Sequence, residues 1–298
     1  MRALFNTLRF ILTHPLSRGR PFHALGSYFR WQLGCRLLSG KVAVPFVGST
    51  RLLVGAGMTG ATGNIYCGLH EFEDMGFVLH ALRPGDCFVD VGANVGAYSV
   101  LAAGACGASV VACEPVPAAY GHLTDNLRLN DLGSRVVARN VAVGASVGTV
   151  RFTDSLDTVN HVLSEVESRE TGGVTVPVDT LDNLLQGLSP KVMKIDVEGY
   201  EAEVIKGGRR TFHDPGLLAV LVELNGSGAR YGFDEDRIRA ELVAAGLAPC
   251  SYNPLKRDLI FSNEKAGCSG NTLFARDVAE VRERVCSAPH FAVHGRLV

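Results

Sequence analysis

Residues 87–99 constrain the fold more than any other part of the chain. Residues 88–91 are a short run of strand-forming residues, Gly92 and Gly96 interrupt it, and helical character resumes at Tyr98. The pattern predicts a strand, a glycine turn and a helix. Glycine lets the backbone approach a ligand closely, and the start of a helix offers unpaired N–H groups. We therefore expect a docking site of nucleotide size at this turn.

The type of nucleotide depends on the side chains of the turn. A dinucleotide fingerprint has glycine at its first, third and sixth positions, so that a pyrophosphate can lie against bare backbone. Here these positions hold Gly92, Asn94 and Ala97. The Asn94 side chain would crowd a pyrophosphate, whereas S-adenosylmethionine has no phosphate. The turn thus favours S-adenosylmethionine, although a purely structural turn has the same glycine spacing.

Two acids accompany the turn. Asp90 lies two residues before Gly92, where its carboxylate could accept a hydrogen bond from a bound amine or hydroxyl. A second apolar strand, residues 110–113, ends at Glu114, which is at the distance from Gly92 expected for an acid that binds a ribose. Either acid could instead have only a structural role, as a helix-terminal acid or a solvated strand end.

These motifs resemble a known family. The resemblance extends over roughly residues 65–280. The residues that carry it are Pro84-Gly85-Asp86, 89–96, Glu114-Pro115 and 194–201. The chain is similar to the FkbM family of S-adenosylmethionine-dependent methyltransferases. The resemblance implies a class I methyltransferase fold and transfer of a methyl group to an oxygen, commonly on a sugar or a polyketide-like natural product. It also implies an acid near the cofactor in residues 71–80, where Glu73 matches best.

The motifs and the resemblance together give a set of expected cofactor-binding residues. They are Glu73, Asp90, Gly92, Ala93, Asn94, Gly96, Glu114, Pro115, Ala142 and Asp196.

The rest of the chain alternates between predicted strands and helices. Strands are expected at 88–91, 110–113, 136–143, 149–152, 174–178, 192–196, 217–224, 258–261 and 271–275, and helices at 71–80, 118–129, 181–188, 201–207 and 234–245. This alternation predicts an α/β, Rossmann-like fold. We expect a mostly parallel seven-stranded sheet flanked by helices, and the resemblance implies that the last strand runs antiparallel. Residues 71–280 would form this domain and residues 281–298 a tail. Residues 1–70 would form a helical and β-hairpin appendage, with the short strands of its hairpins at 42–47, 51–54 and 64–67.

Catalytic residues should follow the strands, because ligands of such sheets lie beyond the carboxyl ends of the strands. A sugar hydroxyl needs a base near neutral pH, which contributes on the order of 10²–10⁴-fold. Asp196 and Glu198 are the first candidates, and His161 in the loop-rich stretch 154–173 is the alternative. That stretch could also act as a lid that selects the acceptor.

A divalent metal is an open alternative at the same edge. Asp196, Glu223 and Asn225 would supply oxygen ligands suited to Mg²⁺ or Ca²⁺. We favour a reading without metal, in which Glu223 orients the acceptor and Asn225 begins a turn.

The charge distribution separates the N-terminal segment from the remainder. Residues 1–70 contain eight basic and no acidic residues, whereas residues 71–298 contain 21 basic and 30 acidic ones. The apolar run at residues 4–12 is too short to span a bilayer and has no cleavage site directly after it. The segment could rest on an anionic membrane, grip a lipid-linked substrate, or pack on the body as a cap whose arginines meet its acids.

Cysteine usage and the remaining alternatives complete the expectations. The eight cysteines form no Cys-x-x-Cys pair, which is typical of buried thiols in a reducing compartment. A cytoplasmic protein is therefore expected, with peripheral membrane contact open.

The expected partner is a hydroxyl-bearing small molecule, glycan or glycolipid, and no nucleic acid; the oligomeric state is left open. Two other functions stay open, an NAD-dependent oxidoreductase and a non-catalytic member that binds cofactor or acceptor only.

Overall fold

The computed structural model describes residues 2–37, 40–55, 57–153, 160–163, 173–261 and 270–298. Its helices are α1 (Arg2–Thr13), α2 (Pro21–Leu37), α3 (Thr59–Cys67), α4 (Phe72–Ala81), α5 (Ala97–Val100), α6 (Pro117–Leu129), α7 (Leu181–Leu184), α8 (Glu201–Gly207), α9 (Arg209–Phe212), α10 (Glu235–Ala244) and α11 (Val278–Ser287). A π-helical turn (Leu101–Ala105) continues α5, and a 3₁₀ helix spans Ser227–Tyr231.

The strands form one large sheet and smaller ones. They are β1 (Val42–Pro45), β2 (Arg51–Val54), β3 (Cys87–Val91), β4 (Ser109–Cys113), β5 (Val136–Arg139), β6 (Ala142–Val143), β7 (Gly148–Phe152), β8 (Val174–Asp179), β9 (Val192–Ile195), β10 (Ala219–Glu223), β11 (Ala248–Asn253), β12 (Asp258–Phe261), β13 (Asn271–Ala275), β14 (Ala292–Val293) and β15 (Arg296–Leu297).

The large sheet has the order β12-β11-β13-β10-β9-β3-β4-β5. Strands β10, β9, β3, β4 and β5 run parallel, and β13 runs antiparallel to β10. The chain begins this sheet at β3, builds outward to β5, and then returns to the other side of β3 through β9. The strand order therefore reverses between β3 and β9, which is where open α/β sheets bind ligands.

The central strands are mostly apolar because both faces of the sheet are covered. Alternate residues of β3 face opposite sides: Phe88 joins the core under α4, α5 and α6, whereas Val89 and Val91 join the core under α7, α8 and α10. Asp90 shares the face of Phe88 and is buried there. This face also holds the cavity described below.

The N-terminal segment contacts the body through a hairpin and a helix pair. Strands β1 and β2 pair antiparallel, and β2 lies against α6. Helices α1 and α2 pack on α3 through a cluster that contains Ile11, Ala24, Tyr28, Tyr66 and Cys67. None of the described helices combines the length and the apolar character needed to cross a bilayer.

The predicted α/β fold and the antiparallel last strand are confirmed, with several local differences. The large sheet has eight strands, not seven, because β11, which was not predicted, and β12 extend it as a hairpin. The predicted strand 136–143 is split between the large sheet and a three-stranded sheet of β6, β8 and β7. Residues 64–67, expected in a hairpin, belong to helix α3.

The cysteines in the described part of the chain are free. Most are partly or fully buried, and Cys268 lies outside the described residues.

Candidate active site

Four acids meet at the carboxyl edge of the sheet. Asp90 lies near the end of β3, Glu114 directly follows β4, Asp196 directly follows β9, and Glu223 is the last residue of β10. Because these strands are parallel neighbours, their ends lie side by side. The acids line one cavity of about 460 Å³ that opens at the point where the strand order reverses.

The glycine turn after β3 is fixed by backbone contacts on both sides. The N–H groups of Gly92 and Ala93 donate to the Cys113 carbonyl at 2.9 and 3.0 Å, and the Asp196 N–H donates to the Val91 carbonyl at 3.0 Å. Gly92 has φ +81°, and a Cβ there would lie 1.8 Å from the Asp196 carbonyl oxygen. Glycine is therefore required here for the close approach of two strand ends, whatever ligand the turn holds.

Gly96 and Asn94 shape the remainder of the turn. Gly96 has φ +86° and precedes α5, and a Cβ there would lie 2.5 Å from Leu123 on α6. Asn94 adopts the left-handed conformation with φ +50°, which asparagine tolerates better than most residues. This conformation directs the Asn94 N–H to Glu114, at 2.8 Å from Oε2.

Glu114 is oriented by two backbone donors. Oε2 accepts from the Asn94 N–H, and Oε1 accepts from the Val116 N–H at 2.9 Å. Burial raises the pKa of Glu114 to about 7, against the two backbone hydrogen bonds that lower it. Each carboxylate oxygen keeps a second acceptor site, so Glu114 can still receive a ligand hydroxyl.

Lys194 carries a buried charge between the acids. Its Nζ donates to Asp196 Oδ2 at 2.5 Å and lies 4.8 Å from the centre of the Tyr98 ring. In the strand register, Lys194 on β9 is the partner of Asp90 on β3. Burial opposes its charge, but the carboxylates of Asp196, Glu71 and Asp90 outweigh burial and raise the pKa of Lys194. The ammonium therefore stays charged and balances the acids around it.

Asp90 is 1% exposed and is held by a hydroxyl. Its Oδ2 accepts from Ser99 Oγ at 2.6 Å, which ties the end of β3 to α5. Burial raises the pKa of Asp90, and the charge of Lys194 opposes that effect.

Glu71, an acid that was not among the predicted site residues, also lines the cavity. Glu71 accepts from Tyr98 Oη at 2.7 Å and from Asn271 Nδ2 at 3.0 Å. Asn271 also donates to Asp74 Oδ2 at 2.9 Å, so α4, α5 and β13 are joined around this group. Glu73, which was expected near the cofactor, lies outside the cavity lining. Burial raises its pKa.

Three carboxylates of the cavity lining, which we term the acidic cluster, gather at and just beyond the ends of β9 and β10. Oxygen atoms of Asp196, Glu198 and Glu223 all lie within 4.8 Å of one another. Burial, followed by the charge of Asp196, raises the pKa of Glu198 to about 7. Burial also raises the pKa of Glu223, which the charges of Asp196 and Glu198 raise further. Glu223 Oε2 is buried and accepts no hydrogen bond from the described residues.

A backbone loop holds Glu198 in place. Glu198 has φ +54°, an uncommon conformation for a residue with a Cβ. Glu201, at the start of α8, accepts from the N–H groups of Gly199 at 3.1 Å and Val197 at 3.3 Å. A Cβ on Gly199 would lie 2.7 Å from the Ser227 carbonyl, so the loop also packs on the 3₁₀ helix. These contacts fix the backbone position from which the Glu198 side chain extends.

Three further candidates, Gly96, His161 and Asn225, are absent from the cavity lining. His161 is buried beside β7, where its carbonyl accepts from the Thr153 N–H and its N–H donates to Thr153 Oγ1, both at 3.0 Å. The preceding Asn160 does line the cavity. Asn225 accepts from the Ser227 N–H at 2.9 Å, which is a turn contact. Most of the predicted lid lies outside the described residues.

The cavity therefore unites most of the predicted residues. Those that line it are Asp90, Gly92, Ala93, Asn94, Glu114, Pro115, Ala142, Asp196, Glu198 and Glu223. Lys194, Glu71 and Tyr98 line it without having been predicted. A lysine inside the apolar run of β9 was the one available signal, because a buried charge needs a partner.

Comparison with known proteins gives a family. Residues 90–250, more than half of the chain, match the Methyltransferase FkbM domain. The hexuronic acid methyltransferase AglP of Haloferax volcanii is 30% identical over 142 residues, which are 46% of this chain and 56% of AglP. The methyltransferase sdnD of Sordaria araneosa is 29% identical over 212 residues, with 57% of this chain and 82% of sdnD covered.

A solved structure gives a weaker likeness. Methyltransferase FkbM from Methylobacillus flagellatus KT is 15% identical, with a TM-score of 0.43, 72% of this chain covered and 52% of that chain. The chain thus spans only about half of that protein and of AglP. The domain match, which begins at Asp90 and extends past Glu223, shows that the chain belongs to the FkbM methyltransferase family.

Proposed function

We propose that this protein is an S-adenosylmethionine-dependent O-methyltransferase that acts on a hydroxyl of a sugar, glycolipid or polyketide-like natural product. One observation carries the proposal: the glycine turn with Glu114 and the acidic cluster line a single cavity of about 460 Å³. A cofactor held at the turn and a hydroxyl held at the cluster would then lie in contact, which is the arrangement a group transfer needs.

The residues around the turn fit S-adenosylmethionine. The Glu114 carboxylate is oriented by Asn94 and Val116 and would accept from the ribose hydroxyls. Asp90, Glu71 and the acidic cluster line the remainder of the cavity with carboxyl groups, and Lys194 is the only lysine among its lining residues in the described part of the chain. Such a site favours a cation. The cofactor supplies a methyl group on positively charged sulfur, and the chain has to hold the acceptor and take its proton.

We assign proton removal to Glu198. Its pKa of about 7 suits a general base near neutral pH. Asp196 lies beside it, but its Oδ2 already accepts a hydrogen bond from Lys194 at 2.5 Å and is less available to a substrate proton. In this assignment Asp196 orients the acceptor hydroxyl, and Glu223 shares a proton with its neighbours. His161 lies outside the cavity lining and stays the alternative base.

The acceptor class is supported by the relatives. AglP is named for a hexuronic acid, and its similarity makes a sugar hydroxyl the first acceptor to test. The NAD-dependent alternative is disfavoured by Asn94, which crowds the position where a pyrophosphate would lie. A non-catalytic binding protein has no need for three clustered carboxylates in the cavity lining.

Calorimetric titration tests the cofactor. We expect S-adenosylhomocysteine to bind with micromolar affinity and NAD⁺ not to bind. EDTA and Mg²⁺ are added in separate titrations, because the acidic cluster could also hold a divalent ion. Binding of NAD⁺ alone would overturn the proposal.

Transfer of labelled methyl groups tests the reaction. Acceptors are uronic acids, glycans and glycolipid extracts, and the product is analysed for a methyl ether. We expect Glu198→Gln to lower kcat by on the order of 10²-fold or more with little change in cofactor affinity. Glu283→Gln, an exposed change on α11, is the matched control. A product methylated on nitrogen or carbon, or an unchanged kcat in Glu198→Gln, would contradict the assignment.

A further inference from the structure

Helix α2 leaves an apolar stripe without a partner among the described residues. Its inner side packs through Ala24, Ser27 and Tyr28. Four large apolar side chains are exposed on its other side: Phe22 (87% exposed), Phe29 (60%), Leu33 (59%) and Leu37 (73%). Their spacing of seven, four and four residues places them on one face of the helix. We term these four residues the α2 stripe. A contiguous exposed apolar surface of this kind marks an interaction site, whereas single exposed apolar residues are common.

The neighbouring helix α1 also exposes large apolar side chains. On α1, Leu4, Phe5 and Leu12 are exposed as well. Helices α1 and α2 are packed against each other, so both apolar surfaces belong to one part of the molecule.

The charges beside the α2 stripe are all positive. Arg30 and Arg36 on α2 and Arg9 on α1 are exposed, and the ion pairs among the described residues include none of them. One alternative from the sequence was a cap whose arginines pair with acids of the body. The described ion pairs do not show this pairing for Arg9, Arg30 or Arg36. Residues 1–70 contain no acid at all, while the remainder of the chain carries a net charge of −9. The surface is thus complementary to an anionic partner.

We propose that the α2 stripe docks on the surface of a bilayer that contains anionic phospholipids. The apolar side chains would enter the region between headgroups and acyl chains, and the arginines would contact the lipid phosphates. A second copy of the chain fits less well, because pairing two such faces would bring arginines of both copies together. The helix lies along the membrane and does not cross it, since α2 has only 17 residues and carries two arginines.

Vesicle sedimentation of the full chain tests the proposal and needs no methyl acceptor. The vesicles are phosphatidylcholine alone, or an equal mixture of phosphatidylcholine and phosphatidylglycerol. We expect binding to the mixed vesicles, at least tenfold weaker binding to phosphatidylcholine, and weaker binding as salt is raised.

Two variants identify the surface. The first variant is Phe22→Ser/Phe29→Ser/Leu33→Ser, and we expect it to partition onto mixed vesicles at least tenfold more weakly. The second is Arg30→Glu/Arg36→Glu, and we expect it to lose most of the binding, with a residual binding that depends little on salt. The control Leu188→Ser/Val243→Ser/Leu255→Ser changes three exposed apolar residues elsewhere on the surface and should bind as the unchanged chain does. Since all these side chains are exposed, thermal unfolding should differ little among the variants.

Either of two results overturns the proposal. One is equal vesicle binding by the unchanged chain and the Phe22 variant. The other is no vesicle binding, with a dimer in solution that the Phe22 variant converts to a monomer, which would identify a second copy as the occupant. Neither result depends on whether the protein transfers methyl groups, so a failure here is distinguishable from a failure of the proposed function.

Discussion

Lys194 is the residue on which the charge balance of the site depends. Its ammonium is buried and donates to Asp196 Oδ2 at 2.5 Å, with Asp90 as its register partner. We expect Lys194→Met to lower the free energy of unfolding by about 3–5 kcal/mol, because it leaves buried carboxylates without a counter-charge. Urea denaturation measures the loss.

A double-mutant cycle separates this electrostatic loss from lost packing. Adding Asp196→Asn to Lys194→Met removes one of the uncompensated charges, so the double variant should lose clearly less stability than the sum of the two single variants. Strictly additive losses would show that Lys194 stabilises the fold through its aliphatic chain alone.

Glu223 should make the stability of the folded protein depend on pH. Burial raises its pKa, and the charges of Asp196 and Glu198 raise it further. An acid whose pKa is higher in the folded state contributes stability below its unfolded pKa and loses that contribution as pH rises toward the folded pKa. Glu223→Gln cannot ionise, so we expect its Tm to exceed that of the unchanged chain at pH 8, with a difference that shrinks toward pH 5.

The exposed Glu283→Gln provides the comparison for that experiment. Glu283 lies on the solvent side of α11, and its replacement should leave the pH dependence of Tm unchanged. A Glu223→Gln variant that is less stable than the unchanged chain at pH 8 would mean that the Glu223 carboxylate is paired with a cation in solution.

At the scale of elements, the glycine turn between β3 and α5 depends on close packing against the end of β9. Gly92 and Gly85 have similar φ angles, +81° and +90°, but a Cβ on Gly92 would lie 1.8 Å from the Asp196 carbonyl oxygen, whereas one on Gly85 would contact nothing within 4 Å. Gly85→Ala should thus cost only the backbone strain, about 1–2 kcal/mol. Gly92→Ala should cost the same strain and a further 1–3 kcal/mol or more from the clash.

Urea denaturation of both glycine variants, with S-adenosylhomocysteine titration alongside, checks this prediction. Gly92→Ala should also weaken ligand binding, because Asp196 has to move. Equal losses of stability in the two variants would show that the turn relaxes without displacing the end of β9.

The sequence predicted elements well where a single apolar run decides the structure. Strands β3, β4, β9 and β10 are buried on both faces, and each is an apolar run that ends in or beside an acid. Residues 64–67 resembled a strand because they are apolar, but packing against α2 and β2 makes them the end of α3. Strand β11 was missed, because it contains Pro249 and polar residues that carry little strand signal.

Side-chain positions depend on tertiary contacts that no local pattern contains. The family resemblance favoured Glu73, yet it is Glu71 that accepts from Tyr98 and from Asn271, the latter 200 residues away. The strand expected over 136–143 breaks at Asn140, whose amide donates to the carbonyls of Glu114 and Pro115 at 2.8 and 2.9 Å. Such contacts become visible only when distant strands are brought together.

At the scale of the whole molecule, Asn126 links the N-terminal hairpin to the candidate site. This residue of α6 is fully buried, accepts from the Leu53 N–H on β2 at 2.6 Å, and donates to the Val95 carbonyl in the glycine turn at 2.8 Å. Its neighbour Asn130 exchanges hydrogen bonds with the Arg51 backbone at 2.8 and 2.7 Å without touching the turn. The two asparagines therefore form a matched pair.

We expect Asn126→Ala to speed amide hydrogen exchange both in residues 51–54 and in residues 93–96, because it leaves a buried donor and a buried acceptor unpaired at about 1–3 kcal/mol each. Asn130→Ala should speed exchange only in residues 51–54. Mass spectrometry of the exchanged peptides distinguishes the two patterns, and S-adenosylhomocysteine should bind more weakly to the first variant alone. Faster exchange confined to the hairpin in both variants would mean that the turn keeps its shape without the appendage, and that the cationic N-terminal segment is coupled to the site only through chain connectivity.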